Sequence, residues 1–372
     1  MKRTAICLSL IAACSGADRP PPVPTIPLPS GTALKPFDAG HGSFAHPAGM
    51  AQMGDKVYVA LGNSDLPYFT PSGPGMLAAV DPGSGAVSTI DLGGSGGKQC
   101  LSPGFVRASG NYLYVTCTGE YGSSTGAAIL EVDPAGTGSV RRSLSPATNP
   151  QGVAVAGNRL WYGDTASGRI FPVDMGTFTS AGEPVALGCP QGTDPSRAYR
   201  YVPDLMSAGG DLYALCASDI GGALYRLDPT TGAVKSQVAV GPIPTELTST
   251  GDGRIAVVNS GDNTIMLITP GNPTLSAPVA LTLPNVQTLQ DIRSHGQFLY
   301  TVASQTNTVQ KVDLNAQGGP KVVAEANVGD GANPWNALPL DDDQVIVSNL
   351  LTNTLVAITS ICGTGKVCWT VR

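Results

Sequence analysis

An all-β fold, a seven-bladed β-propeller of four-stranded antiparallel sheets, is predicted for this chain by three observations. Short apolar runs joined in pairs by polar turns return along most of its length. About a fifth of the 372 residues are Gly or Pro, a proportion suited to many tight turns. No stretch sustains the 3.6-residue apolar period of a helix.

The clearest repeating unit is GRIAVVNSGDNTIMLITP, residues 253–270, two strand-like runs around a Ser-Gly-Asp-Asn turn. Its first run recurs as KVYVA, YLYVT, RLWYG, DLYAL, FLYTV and QVIVS. Aligning Val57, Leu113, Leu160, Leu212, Ile255, Leu299 and Val345 gives steps of 43 to 56 residues, the span of a four-stranded propeller blade. Each unit opens with a strand such as NPQGVAVAG (149–157) and a Gly turn. The hairpin follows and ends at an Asp turn: Asp81, Asp133 and Asp228 before proline, Asp174 and Asp313 without it. A fourth strand closes the unit, as in AVSTIDLGG (86–94) and AVKSQVAVG (233–241). A thin sheet has two apolar faces, so the units are expected to stack around an axis. The aromatics Tyr58, Tyr114, Trp161, Tyr213 and Tyr300 recur one place after the alignment point and are expected between blades. For the last blade, KVCWTVR (366–372) is expected as the fourth strand, with GTALKPFDAG (31–40) beside or over it.

The segments VVNSGDNTIMLI, TVASQTNTVQKVD and VSNLLTNTLVAI resemble the YVTN repeat, and NPQGVAV resembles the turn into each blade of YncE-like proteins. The resemblance covers roughly residues 40–372 and implies the propeller. It leaves function open, because binding scaffolds, enzymes and surface proteins share that fold.

Ahead of the repeats, Lys2 and Arg3 precede an apolar stretch too short for a stable membrane anchor, which fits an export signal. It ends in IAAC, which resembles the bacterial lipoprotein box; the resemblance makes residues 1–13 the signal and Cys14 the lipidated first residue. An ordinary signal peptide cut nearby is the alternative. Ser15 follows the cysteine, with no Asp there. By resemblance that places the protein on the bacterial outer membrane, on its periplasmic or cell-surface side. Residues 14–30 then read as a Pro-rich stalk, extended over about 50 Å, and residues 31–372 as the propeller. Without residues 1–13 the chain holds 19 basic against 27 acidic side chains, net −8, which disfavours nucleic acid as a partner.

Six cysteines follow Cys14, an even number in an exported chain. Cys100 sits just before the first strand of blade two and Cys117 ends its second, and Cys189 and Cys216 repeat that relation in blade four with a longer loop between them. Cys362 and Cys368 flank a hairpin-sized loop. The expected disulfides are these three pairs; the alternative, metal binding, meets no C-x-x-C and no zinc spacing.

Propeller ligands bind where the innermost strands converge on the axis. The residues aligned there are Gly49, Gly104, Gly152, Asp204, Glu246, Asp291 and Asn336, three carboxylates and one amide against three glycines. Such oxygens suit Ca²⁺ or a cationic ligand, while Arg107, Arg200 and Arg293 could instead neutralise the acids. Trp335 could stack on a ligand or simply pack. GGSGG (93–97) satisfies G-x-S-x-G but lies in a loop with no helix after it, and GTGK (363–366) lacks the spacing of a phosphate loop. His41, His46 and His295 are scattered, and Asp341–Asp343 read as a solvated turn.

The leading functional expectation is a lipid-anchored, non-enzymatic scaffold that binds a protein, glycan or small molecule and requires no cofactor. The alternative is a hydrolase or lyase resembling the calcium-dependent propeller lactonases, with Asp204, Glu246, Asp291 and Asn336 as Ca²⁺ ligands. Those enzymes have six blades, against the seven counted in this sequence.

Overall fold

Seven antiparallel sheets, each paired in chain order, make up the computed structural model of this protein, which describes residues 26–27, 46–64, 71, 73–93, 100–190, 200–271, 274–360 and 369–371. The innermost strands are Pro47–Met53, Pro103–Ser109, Pro150–Ala156, Leu205–Ala208, Pro244–Ser249, Leu289–His295 and Pro334–Pro339. Burial falls outward: the second strand of blade five, Ile255–Asn259, is wholly buried, whereas its fourth, Val279–Thr282, is almost entirely exposed. No helix occurs among the described residues. The expected fold class is the observed one.

Blade seven closes the ring from both ends of the chain. Its third strand, Thr354–Ser360, offers one free edge. Trp369–Val371 pairs with the Ile358 to Ser360 end of that edge, and Ile26–Pro27 pairs with Leu355 and Thr354 at the other end. The C-terminal strand takes the fourth position as expected. The N-terminal partner, however, comes from within the stretch expected to be stalk; residues 31–40 lie outside the described residues, as do Cys14, His41, Ser95 and the Cys362–Cys368 pair.

The described residues form seven hydrophobic clusters rather than one core, and each spans two neighbouring blades. One joins Tyr58 and Leu77 of blade one to Val106 and Leu130 of blade two; another joins Leu355 of blade seven to Val59 of blade one. The five recurring aromatics are all buried, as the repeat predicted.

The repeated Asn-Thr of the hairpin turn has a mechanical reason. Asn263, Asn307 and Asn353 sit at φ 57°, 53° and 54°, the left-handed region that Asn tolerates better than most residues. Each then reaches the next blade with its side-chain oxygen. The oxygen of Asn263 accepts from the Leu289 amide at 3.3 Å and that of Asn307 from the Asn333 amide at 2.8 Å. The oxygen of Asn353 accepts from the His46 amide at 3.2 Å, joining blade seven to blade one. The phrase returns because the same stitch is needed at successive interfaces.

Two expected disulfides are present, Cys100–Cys117 with Cα atoms 5.3 Å apart and Cys189–Cys216 at 5.5 Å. Each pins the approach to an innermost strand against the second strand of its blade.

Two outcomes follow for stability. Asn307→Ala should cost about 1–2 kcal/mol in urea unfolding, and Asn307→Gly should recover part of it, because glycine restores the left-handed turn but not the hydrogen bond. Removing the Cys100–Cys117 bridge as a double serine variant should cost about 2–4 kcal/mol by the same measurement.

Candidate axial binding site

The approach to the axis is set by a recurring backbone device. The residue ahead of the innermost strand takes positive φ in five blades: His46, Ser102, Ile243, Thr288 and Asn333. For β-branched Ile243 and Thr288, at 47° and 60°, this conformation is costly and is held by the surrounding sheet. Next, the pairing with the second strand slips, between Pro47 and Met50, Pro103 and Phe105, Pro244 and Glu246, and equivalently in blades three, six and seven. Proline, which cannot donate to the ladder, stands at the slip in five of these six blades. Such a bulge re-aims neighbouring side chains, here toward the axis.

As a result, one residue from every blade lines a cavity of about 840 Å³ at the centre of the ring: Ala48, Gly104, Gln151, Pro203, Thr245, Gln290 and Trp335. Six of these stand one place before the positions aligned from the sequence; Gly104 is the aligned position itself. Of the expected residues, Glu246, Asn336 and Trp335 line the cavity. Asp204 and Asp291 do not; both are fully buried behind it. In blade two the alignment is corrected by one residue: Phe105 pairs with Thr116, as Glu246 pairs with Val258 and Asp291 with Val302. Phe105, not Gly104, thus holds the equivalent place, and its ring joins the lining. The step from the axial position to the aligned residue of the second strand is one residue longer in blades five and seven, and giving blade two that longer step places Gly104 where Phe105 stands.

Beneath the cavity the three acids meet two arginines. Arg107 Nη2 is 2.7 Å from Asp204 and 3.8 Å from Glu246, and Arg293 is 3.1 Å from Glu246 and 3.2 Å from Asp291. Both arginines sit two residues after the axial position on their strands, the spacing that returns a side chain to the same face. They also line a second cavity, about 240 Å³, so the charged layer lies between the two spaces. Arg200 instead sits at a bridge to Ser167.

The carboxylates are not equally satisfied. Asp204 accepts from Arg107, from the Leu205 amide at 2.9 Å and from the Leu247 amide of the next blade at 3.3 Å. Asp291 accepts from the Ala337 amide of the next blade at 2.8 Å. Oε2 of Glu246 touches Arg293 but makes no hydrogen bond of good geometry. Burial pushes the Asp204 carboxyl up, opposed by Arg107, Arg293 and those two amides. Burial pushes Glu246 much further above the usual range; Arg293 and Arg107 oppose the rise, while Asp291 and Asp204 add to it. For Arg293 burial works downward, but the surrounding carboxylates reverse it and hold the guanidinium protonated. At the rim, burial drives His46 down to about 4 and Tyr201 up to about 12, so both are neutral near pH 7.

This layer does not fit Ca²⁺. Guanidinium groups stand where the cation would neutralise the acids, and two of the three carboxylates are engaged by backbone amides. Among the described residues no group of three or more His, Cys, Asp or Glu side chains is arranged to hold a metal ion.

A seven-bladed propeller with a lined axial cavity over a buried charged layer is therefore the class this fold and site define. No protein-family model and no curated protein matches the chain. Solved structures share its fold at low identity. A streptogramin B lyase aligns over 94% of this chain and 97% of its own, with 13% identity and a TM-score of 0.64. A catalytically inactive virginiamycin B lyase from Staphylococcus aureus with quinupristin covers 86% and 98%, with 13% identity and a TM-score of 0.62. The periplasmic gluconolactonase of Pseudomonas aeruginosa covers 81% and 92%, with 16% identity and a TM-score of 0.62. Such distant likenesses show the fold and no more.

The uneven satisfaction of the acids fixes the sign of their substitutions. Asp204→Asn and Asp291→Asn should each cost about 1.5–3 kcal/mol, because a half-buried guanidinium loses one of its two acidic partners. Glu246 behaves oppositely. Unfolded, it ionises in the ordinary glutamate range; folded, it keeps its proton to higher pH. Its contribution is full below the ordinary range and is lost as pH rises toward its folded value. At pH 8 Glu246→Gln should unfold no earlier than the wild type, and its melting temperature should fall less between pH 5 and pH 8.

Proposed function

We propose that this protein is a ligand-binding propeller whose axial cavity takes a small organic molecule. The observation that carries this reading is the cavity itself, to which all seven blades contribute a residue. Its volume of about 840 Å³ falls in the range of small-molecule sites. Phe105, Tyr201 and Trp335 give it apolar walls, and Gln151, Gln290 and Asn336 supply a few directional polar groups. A concave axial pocket of this kind favours a compact molecule over a flat protein surface. The N-terminal features support a location to match: export, with the propeller held at the bacterial outer membrane through a lipid on Cys14.

One observation favours a second reading, in which the bound molecule is also transformed. Glu246 is a poorly satisfied carboxyl at the cavity wall, suited to giving or taking a proton, and the structural neighbours include enzymes named as a lyase and a gluconolactonase. Any such chemistry here would run through Glu246 without a bound metal.

A thermal-unfolding screen with small organic probes, including gluconolactone and quinupristin, tests both readings. Saturation near 100 times the dissociation constant should stabilise the protein by about 2.7 kcal/mol, and Trp335→Ala should remove the shift. A wild-type midpoint that no probe moves would overturn the binding reading. Mass spectrometry of the recovered probes decides the second: a product that Glu246→Gln fails to form supports turnover, and unchanged probes leave a binder.

A further inference from the structure

On the reading that the axial cavity holds a small organic molecule, we propose that this molecule is an organic ammonium ion, its N–H groups on Glu246 and Asn336 and its carbon skeleton against Trp335. The first support is what the cavity lacks. Among the described residues that line it there is no Lys or Arg, whereas Glu246 and, at the rim, Glu120 are both acidic. The lining histidine, His46, is neutral near pH 7 because burial holds it at about 4. An anionic ligand would find no cationic side chain on the cavity wall.

Hydrogen-bond chemistry is the second support and is independent of charge. The Asn336 side chain is 3% exposed, and its amide oxygen has no hydrogen-bond partner. Oε2 of Glu246, in a residue 6% exposed, lies 3.1 Å from Arg293 but makes no hydrogen bond of good geometry. The hydroxyl of Thr245, on the same wall, is also without one and can turn to suit a neighbour. Buried acceptors left unmade are costly, and a ligand that brings several donors and no acceptor answers them together. A protonated amine does so. The aromatic wall of Trp335 and Tyr201 adds the ring faces on which organic cations rest.

The layer beneath supplies the third support. Asp204, Glu246 and Asp291 are three carboxyls against the two guanidiniums of Arg107 and Arg293, so with all five ionised the layer carries one uncompensated negative charge. With the cavity empty, the geometry assigns the balancing proton to Glu246, since Asp204 and Asp291 hold amides of the next blade and it does not. A bound ammonium takes over that role, and the proton leaves to solvent. The groups facing Glu246 are Arg107 and Arg293 by contact and Asp204 and Asp291 in the same layer. On the cavity side are Glu120, His46, Tyr121 and Tyr201.

Isothermal titration of the full chain with phenethylamine and its neutral counterpart phenethyl alcohol, at pH 6 and pH 8 in buffers of differing ionisation enthalpy, tests the inference. The amine should bind about ten-fold tighter than the alcohol at pH 8, bind less tightly at pH 6, and release up to one proton. Glu246→Gln should weaken the amine about ten-fold, abolish the proton release and leave the alcohol unchanged. Proton release in the wild type stands as a readout even where the variant folds poorly. Alcohol bound as tightly as amine, or amine binding without proton release at either pH, would overturn the ammonium assignment and leave the cavity as a binding site. Failure of both probes to bind the wild type would count against the small-molecule reading itself.

Discussion

Everything in this structure depends on thin sheets having two apolar faces and no way to cover both alone. Each of the seven hydrophobic clusters is shared between two blades, so the burial that stabilises one sheet belongs equally to its neighbour. Closure of the ring is then the condition for any blade to be fully covered. That is where the chain spends its special features: a third strand paired at both ends of its edge, and an asparagine stitch from blade seven back to blade one.

The same demand explains the uneven inner ring. A methyl group on Gly49 would come within 2.4 Å of the Gly104 carbonyl oxygen, and one on Gly152 within 2.3 Å of the Asp204 backbone. There the innermost strands touch, and only glycine fits. On the opposite arc, carboxylates fill the gap between strands, and Asp204 and Asp291 each bind an amide of the next blade. Those acids are structural ties. Burying them costs heavily unless they are paired, which is what Arg107 and Arg293 provide. Glu246, also contacted by both arginines, is the one of the three that lines the cavity.

Function on a propeller resides in the axial residues and not in the fold, which hosts many chemistries. Here the wall combines rings, amides and a single underused carboxyl above a closed layer of charge. The proposed binding of a small, donor-rich molecule, and the proposed proton exchange with it, rest on that combination. The neighbours of similar shape share the frame, while the residues that matter are this chain's own.

Much of this was legible in the sequence. The period of the strand pairs, the Asp turns and the paired cysteines all report local geometry, which neighbouring residues determine by themselves. The blade number, the burial of Tyr58, Tyr114 and Trp161 and two disulfides followed from them. Aligning the entries to the blades also brought Asp204, Glu246 and Asp291 to one place near the axis. What tertiary structure alone decided was direction. A bulge at six of the seven approaches turns the preceding residue, such as Gln151, Thr245 or Gln290, into the cavity, and strict two-residue alternation cannot foresee it. The pairing of Arg107 with Asp204, 97 positions away, exists only because the ring turns blades two and four, with one blade between them, toward a common axis. Charge compensation between distant strands depends on curvature and closure, which no local pattern encodes.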